Sequence, residues 1–340
     1  MNEEIILSPA ALEAVIARAI EASATSPSNA RSVARALAAA EIDGQAGHGL
    51  ARVPSYAAQA RSGKVDGHAR PRLHVTRSAS MTVDAGYGFA FPALDLAIPR
   101  LAAMARAAGI AAAGVVRSHH FGVAGSHVER LAEAGLVALA FANTPKAVPA
   151  WGGRRPLLGT NPIALAAPQA GKPAVVVDLA LSRVARGKIL VAAQKGETLP
   201  DDWAVDEHGR ATTDAQAALK GALQPIGGAK GAALALMVEV LAASLTGAHF
   251  AFEASSFLLA EGPPPAVGQF LVAIDPGAFA GEKEFSERMV ALVQAIDGDG
   301  ARLPGSRRLA LRERAERLGV AVDFKLYAEV TAIAQHPRRA

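Results

Sequence analysis

The 340-residue chain contains no cysteine. That single absence removes disulfide frameworks, thiolate metal sites and a cysteine nucleophile. Aromatic residues are also few, 5% against 51% hydrophobic overall. The core must therefore be built from Ala, Val and Leu, as in an α/β enzyme rather than a β-sandwich. No basic stripe is interleaved with stacking aromatics, and 35 basic against 31 acidic residues leave a formal charge of only +4. Nucleic acid is not an expected partner. Much of the basic excess lies near the end of the chain, in Arg302, Arg307, Arg308, Arg312, Arg314, Arg317, Arg338 and Arg339, and reads as a solvated end. The longest apolar run, residues 231–245, is too short to span a bilayer and contains Glu239. It reads as a buried core helix, and no membrane association is expected. The acidic opening Met1-Asn2-Glu3-Glu4 runs straight toward a helix start without the pattern of a secretory leader, which points to the cytoplasm.

Standard nucleotide signatures are missing as well. Asp84-Ala85-Gly86-Tyr87-Gly88-Phe89 offers two glycines of a dinucleotide fingerprint, but Phe91 stands where the third belongs. A tight turn is the plainer reading. Gly63-Lys64, Gly171-Lys172 and Gly187-Lys188 are followed by Val, Pro and Ile, not by the Ser or Thr of a P-loop. Gly227-Gly228-Ala229-Lys230-Gly231 precedes an apolar helix. Its N–H groups and Lys230 suit a pyrophosphate as well as they suit a flexible helix start with a solvated lysine. The long loop from Gly152 to Pro162 has the length of a segment lining a cleft.

What is present is organised in three parts. Ser8-Pro9 starts a helix with Leu12, Val15, Ile16 and Ala19 on one face. A second helix opens at Ser26 or Ser28 and runs to Ile42, and a third covers residues 53–61. This helical layer, residues 1–72, gives way to alternating strand and helix patterns over 73–298. Strands are expected at 74–76, 81–84, 110–116, 137–143, 163–167, 174–179 and 270–274, with helices at 91–108, 123–134, 183–194, 231–245 and 282–296. Helices at 307–318 and 324–334 complete a cap over 299–340 that packs on the amino-terminal layer.

Chemistry concentrates at Arg117-Ser118-His119-His120-Phe121-Gly122, between a strand-like and a helix-like run. Helix amino ends carry unpaired N–H groups and partial positive charge, which suit phosphates and carboxylates. A second segment, Gly47-His48-Gly49-Leu50-Ala51-Arg52, sets an imidazole four residues before a guanidinium. His48 has the affinity to give and take a proton near neutrality, its flanking glycines let backbone approach a ligand closely, and Arg52 can hold a carboxylate in two places. Residues alone leave open whether these are a proton-transfer pair or a turn histidine beside a solvated arginine. His119, His120, His127 and Glu129 lack the spacing of a metal centre, and no metal is expected.

At these residues the chain resembles the malate/L-lactate dehydrogenase family, which is separate from the Rossmann-fold lactate dehydrogenases. That family includes ureidoglycolate dehydrogenase, sulfolactate dehydrogenase and the reductases of Δ1-piperideine- and Δ1-pyrroline-2-carboxylate. The resemblance runs through both histidine segments, then Gly159-Thr160-Asn161-Pro162-Ile163, Asp178-Leu179-Ala180, Ala185-Arg186-Gly187-Lys188, Thr212-Thr213-Asp214 and Gly227-Gly228-Ala229-Lys230-Gly231. It implies an α/β fold with a non-Rossmann mixed sheet and flanking helices, in a homodimer whose sites use both subunits. It implies His48 as the proton donor or acceptor, Arg52 as the carboxylate clamp, and Thr160, Arg186, Gly187 and Lys188 around the substrate. His120, Phe121, Gly122, Val123, Ala124, Asp178, Leu179, Ala180, Ala229, Lys230, Arg307 and Arg308 would hold NADP, with NAD the other candidate. The implied reaction moves a hydride between nicotinamide and C2 of a small 2-oxo or 2-hydroxy acid. Reduction of a cyclic 2-imino acid is the alternative. Two departures stand out: Gly47 replaces the family's usual serine, and Lys188 stands where the piperideine and pyrroline carboxylate reductases tend to carry a carboxylate.

Overall fold

A computed structural model describes residues 3–335 of the chain. Met1, Asn2, Arg338 and Arg339 lie outside the described residues. The chain opens on a short strand, β1 (Glu4–Leu7), before α1 (Pro9–Glu21), α2 (Pro27–Ile42) and α3 (Val53–Arg61). Next come β2 (Arg72–Arg77), β3 (Ser80–Asp84), α4 (Ala90–Ala108), β4 (Ile110–Ser118), α5 (Ala124–Glu133) and β5 (Val137–Ala142). Two short strands, β6 (Val148–Pro149) and β7 (Pro156–Leu158), precede β8 (Ile163–Gln169) and β9 (Lys172–Leu179). They are followed by α6 (Arg186–Lys195), β10 (Ala204–Val205), α7 (Ala215–Lys220), β11 (Ala222–Leu223) and α8 (Ala229–Glu239), which ends in a π turn at Val240–Ser244. The last elements are β12 (Val267–Ile274), α9 (Glu282–Gly298), α10 (Ser306–Leu318), β13 (Val320–Asp323) and α11 (Phe324–Gln335).

Seven strands form the central sheet, in the order β2-β3-β4-β12-β5-β8-β9. Only β3 and β4 run parallel; every other neighbouring pair is antiparallel. A doubly wound dinucleotide fold needs a mostly parallel sheet, so the failed glycine fingerprint and the topology agree. The β4–β12 register shifts between Val267 and Gln269, so Val116 and Arg117 bulge out opposite that step. Arg117 takes φ +48°, and its guanidinium pairs with Asp84. A bulge re-aims the residues that follow it, and here those are Ser118, His119 and His120.

One core lies under this sheet, with α4 and α5 packed on small strand residues such as Ala111, Ala113, Ala138 and Ala140. A second core joins the two ends of the chain. Leu12, Ile16 and Ile20 of α1 pack with Val33 and Leu37 of α2, Tyr56 of α3, Ala315 of α10, Val320 and Val322 of β13 and Val330 of α11. β1 and β13 pair antiparallel from Glu4↔Asp323 to Leu7↔Val320. The expected direct entry into a helix is thereby corrected: a four-residue strand is too short to show a period, and its partner lies at the far end of the chain.

Between the cores sits a buried ion cluster. Arg308 donates to both Glu129 carboxylate oxygens at 2.6 and 2.8 Å, and Arg312 to both Asp43 oxygens at 2.6 and 2.9 Å. Arg312 also reaches Glu129 at 2.6 Å. Burial alone would raise the Glu129 carboxyl, but the two guanidiniums overcome it and hold the group low. Asp43 caps α2, Glu129 lies on α5 and both arginines lie on α10, so the cluster bolts three elements together.

Residues 231–245 do not form a buried core helix. Gly231, Ala232, Ala235 and Val238 face inward, while Leu236, Val240 and Leu245 are more than half exposed. The run is apolar on both faces, so composition could not reveal that one face lacks a partner within the chain. Among the described residues no helix is long and apolar enough to cross a membrane.

Glu129→Ala leaves the buried Arg308 and the half-buried Arg312 short of acceptors while Asp43 still pairs with both. Loss of roughly 3 kcal/mol of unfolding free energy is expected, measured by urea denaturation. A change below about 0.5 kcal/mol, the range of an ordinary surface substitution, would show that the cluster does not hold the layers.

Candidate active site

Two consecutive 3₁₀ turns, Ala46–His48 and Leu50–Arg52, carry the front of the site. Gly49 lets them lie against α2. A Cβ there would stand 2.1 Å from Glu41 Oε2, and that oxygen accepts the Leu50 N–H at 2.7 Å. The close backbone approach expected at Gly49 is thus to α2 and not to a ligand. Gly47 differs: nothing lies within 4 Å of a Cβ placed there, so the position of the family's serine is open space.

The bulged end of β4 brings a second imidazole onto the first. His48 and His120 stack with ring centroids 5.2 Å apart and planes 8° from parallel. Tyr56 Oη and His120 Nδ1 share a hydrogen bond of 2.6 Å. Gln59 Nε2 donates to the carbonyls of Phe257 and Leu259, at 2.7 and 3.1 Å, so its Oε1 must accept from His119 Nε2 at 2.7 Å. That fixes the His119 proton on Nε2 and leaves its Nδ1 bare. His127 donates from Nε2 to the Phe121 carbonyl at 2.7 Å. Phe257 closes the group edge-on, 5.3 Å from His119 and 5.2 Å from His120.

Burial sets the charge state of these rings. It is the largest cause for each, and it favours the neutral form. His48 is pushed down to about 4 by burial and then by the Arg52 charge. His119 falls to about 3 through burial, then Lys64 and Arg52. His127 falls to about 4 through burial, against the opposing hydrogen bond to Phe121. His120 lies well below its usual value for the same reason, with Arg52 next. Burial pushes the Tyr56 phenol upward, keeping it protonated. Arg52 donates from Nε to the Gly47 carbonyl at 2.7 Å. Among the described residues no hydrogen bond or ion pair reaches its two Nη groups. His48 Nδ1 is buried without a partner. The site therefore presents neutral imidazole beside a cation whose outer edge is unused.

A cleft of about 330 Å³ is lined by Val123, Gly125, Val176, Asp178, Arg307 and Arg308, among others. Gly125 N–H donates to Asp178 Oδ2 at 2.7 Å, and Arg307 is exposed with no ion pair among the described residues. Apolar walls, a carboxylate and an unpaired guanidinium fit the base, ribose hydroxyls and phosphate of a dinucleotide. Arg308 requires a correction. Its side chain is 10% exposed and its guanidinium is committed to Glu129 and Asp43, so it braces the cleft floor and is not free for a phosphate.

The other expected residues lie on several elements. His120, Phe121, Gly122, Val123 and Ala124 make the β4–α5 connection, with Gly122 at φ +72° and Phe121 buried in the core. Asp178 and Leu179 end β9 and Ala180 follows it. Thr160 Oγ1 lies 3.2 Å from Thr144 Oγ1. Arg186 spends an Nη2 donor on the Leu219 carbonyl at 2.8 Å, while Gly187 and Lys188 are exposed in the first turn of α6. Ala229 and Lys230 are exposed in the first turn of α8, after two positive-φ glycines. No hydrogen bond or ion pair joins these α6 and α8 residues to His48 or Arg52 among the described residues. Tyr56 and Gln59 had escaped notice, although they follow Arg52 by four and seven residues and so share a helical face with it. Phe257 carried no signal. The described residues contain no group of three acidic or histidine side chains able to hold a metal, and Glu129 faces arginines instead of His127.

The malate/L-lactate dehydrogenase model matches residues 7–331 of this sequence. The chain belongs to the malate/L-lactate dehydrogenase family. It is accordingly an NAD(P)-dependent oxidoreductase. Among relatives, a (2R)-3-sulfolactate dehydrogenase (NADP(+)) of Chromohalobacter salexigens is 52% identical over 96% of this chain and 97% of its own length. A Δ1-pyrroline-2-carboxylate/Δ1-piperideine-2-carboxylate reductase of Pseudomonas putida is 45% identical over 86% of each chain. The crystal structure of Δ1-piperideine-2-carboxylate reductase from Pseudomonas syringae superposes with a TM-score of 0.92 at 40% identity, covering 97% of this chain and 99% of that one.

Because the buried histidines are neutral when folded and titrate near 6.5 when unfolded, stability is fully present above that pH. It falls as the pH drops toward 4, since the unfolded chain takes up protons first. Each such histidine contributes a slope of about 1.4 kcal/mol per pH unit. Urea denaturation at intervals from pH 7 to 5 should show this loss, and His127→Gln should flatten it by about one histidine's share. An unchanged slope in that variant would mean that His127 is not buried in its neutral form.

Proposed function

We propose that the protein moves a hydride between NADP(H) and C2 of a small 2-oxo or 2-hydroxy carboxylic acid, with 3-sulfolactate and its 2-oxo partner as the preferred pair. One observation carries this: a neutral His48, stacked on His120 with no hydrogen bond at Nδ1, stands four residues from Arg52, whose Nη edge is unused. Bound NADPH supplies the hydride. Arg52 holds the substrate carboxylate through two parallel N–H donors. A carboxylate there cancels the charge that helps depress His48, which lets the imidazole carry a proton to the C2 oxygen. In the reverse direction the neutral ring accepts that proton. Proton delivery of this kind contributes roughly 10²–10⁴ in rate.

For the cofactor, the exposed Arg307 in the cleft supports a 2′-phosphate, with Val123, Asp178 and the α5 amino end as further contacts. Ala229 and Lys230 are assigned to the pyrophosphate, and Thr160, Arg186, Gly187 and Lys188 to the substrate side. Lys188 favours a substrate with a second negative charge, which a sulfonate supplies. The 52%-identical relative acts on sulfolactate with NADP(+) by its name, and this supports both choices. The second reading, reduction of a cyclic 2-imino acid, rests on the 45%-identical reductase and on the 0.92 superposition. A dinucleotide reductant is a metabolite of the cell interior, and we place the reaction in the cytoplasm.

NADPH oxidation assayed with 3-sulfopyruvate, oxaloacetate, pyruvate and Δ1-pyrroline-2-carboxylate should be fastest with the first. His48→Ala should lose at least about 10²-fold in kcat with NADPH affinity preserved, and near-normal turnover would refute the assignment. Arg52→Ala should chiefly raise KM for the acid, and Arg307→Ala should shift preference from NADP toward NAD.

The exposed Leu236, Val240 and Leu245, with Leu258 and Leu259 nearby in sequence, support a homodimer whose sites draw on both subunits. An apolar face of that extent ordinarily marks an interface. Sedimentation should give the mass of two chains, and Leu236→Lys should shift it toward one. A monomeric parent protein would remove this part of the reading.

A further inference from the structure

Lys64 is 2% exposed and has no carboxylate partner among the described residues. Its ammonium donates instead to three main-chain carbonyls, those of Ser256, Leu259 and Glu261, at 2.7, 2.9 and 3.2 Å. Three donors meet three acceptors, so the group is satisfied without a counter-charge. A buried, unneutralised cation is costly, and here it is spent on a segment with no helix or strand of its own. The same segment gives its Phe257 and Leu259 carbonyls to Gln59, and its Ala260 carbonyl to Ser62 Oγ at 2.6 Å. Every one of these donors comes from α3, the helix capped by Arg52, or from the turn after it. On its inner side the segment carries Phe257, 9% exposed, edge-on to His119 and His120. His120 in turn stacks on His48. The Lys64 charge also helps hold His119 neutral, after burial.

We propose that Lys64 is a positioning residue for the acid–base site: by gathering the carbonyls of residues 256–261 it presses Phe257 against His119 and His120 and so fixes the ring on which His48 stacks. This rests on His48 being the proton-transfer group. Lys64 touches neither substrate nor cofactor in this scheme. It acts chiefly through packing: with the segment released, water reaches the imidazoles and the His48–His120 stack loses its backing. Gln59 completes the link, because its amide is oriented by the segment's carbonyls and its oxygen sets the His119 tautomer. The aliphatic stem of Lys64 alone could not do this, since no apolar side chain can satisfy three buried carbonyls.

The test is a double-mutant cycle on the full chain, with His48→Ala measured alongside. Lys64→Met and Phe257→Ala should each lower kcat roughly 10–100-fold, the scale of a small misplacement of reacting groups, with NADPH affinity within about twofold. The double variant should lose little beyond the worse single, because both act through one contact. In each variant the acid limb of the kcat–pH profile should move up toward the usual histidine range as water enters. Amide exchange over residues 256–261 should quicken in Lys64→Met. Should Lys64→Met fail to fold, Phe257→Leu carries the same rate and pH-profile readouts. Unchanged kcat and pH profile in Lys64→Met, or losses that multiply in the double variant, would overturn the proposal and mark Lys64 as a plain structural anchor. Retained turnover in His48→Ala would instead overturn the reading of the site itself, and the proposal with it.

Discussion

The site depends on two hydrophobic cores being held in one register, and the ion cluster of Asp43, Glu129, Arg308 and Arg312 is the charged tie between them that is most buried. His48, Arg52 and Tyr56 belong to the helical layer; His119 and His120 belong to the sheet. Apolar packing alone is non-directional and would let one layer slide on the other. Two guanidiniums, each bidentate to a carboxylate, impose a geometry. Asp43 lies five residues before His48, and Glu129 lies nine after His120, so the cluster is close in sequence to both halves of the imidazole stack. It also borders the cleft assigned to the cofactor, which ties the two proposed binding regions to one rigid part.

Within that frame the electrostatics are spare. Four histidines sit among Tyr56, Phe89, Phe91, Phe121 and Phe257, and burial keeps all four neutral. Among the described residues, Arg52 is the charge that acts on His48, His119 and His120 and keeps both Nη groups free of hydrogen bonds. With open space at Gly47, the His48 ring is held by stacking on His120 and not by a neighbouring hydroxyl, and its Nδ1 is buried without a partner.

Much of this was legible from residue pattern. Helices α1 to α5 and the principal sheet strands have apolar faces or alternation strong enough to place them within a few residues, and Ser8 and Ser26 are the caps their side chains suggested. β1 and β13 were illegible because each is four residues long and stabilised by the other across the whole chain. Arg308 looked like a free phosphate ligand because its acceptors, Asp43 and Glu129, lie 265 and 179 residues away. The apolar run at 231–245 looked buried because a helix that is hydrophobic all round gives no sign of which side lacks a partner.

The amino-acid sequence by itself determined the helical periodicities, the two histidine segments and, through ordered motif matches, membership of the dehydrogenase family. Local spacing also put Tyr56 and Gln59 on the helical face that starts at Arg52. Only the tertiary structure decided that His48 stacks on His120, that Arg307 and not Arg308 remains available, and that Lys64 holds the segment bearing Phe257. Those facts join residues separated by 72 to 265 positions in the chain, and no periodicity links such distances. Burial and pairing decide them, and both exist only once the layers have closed.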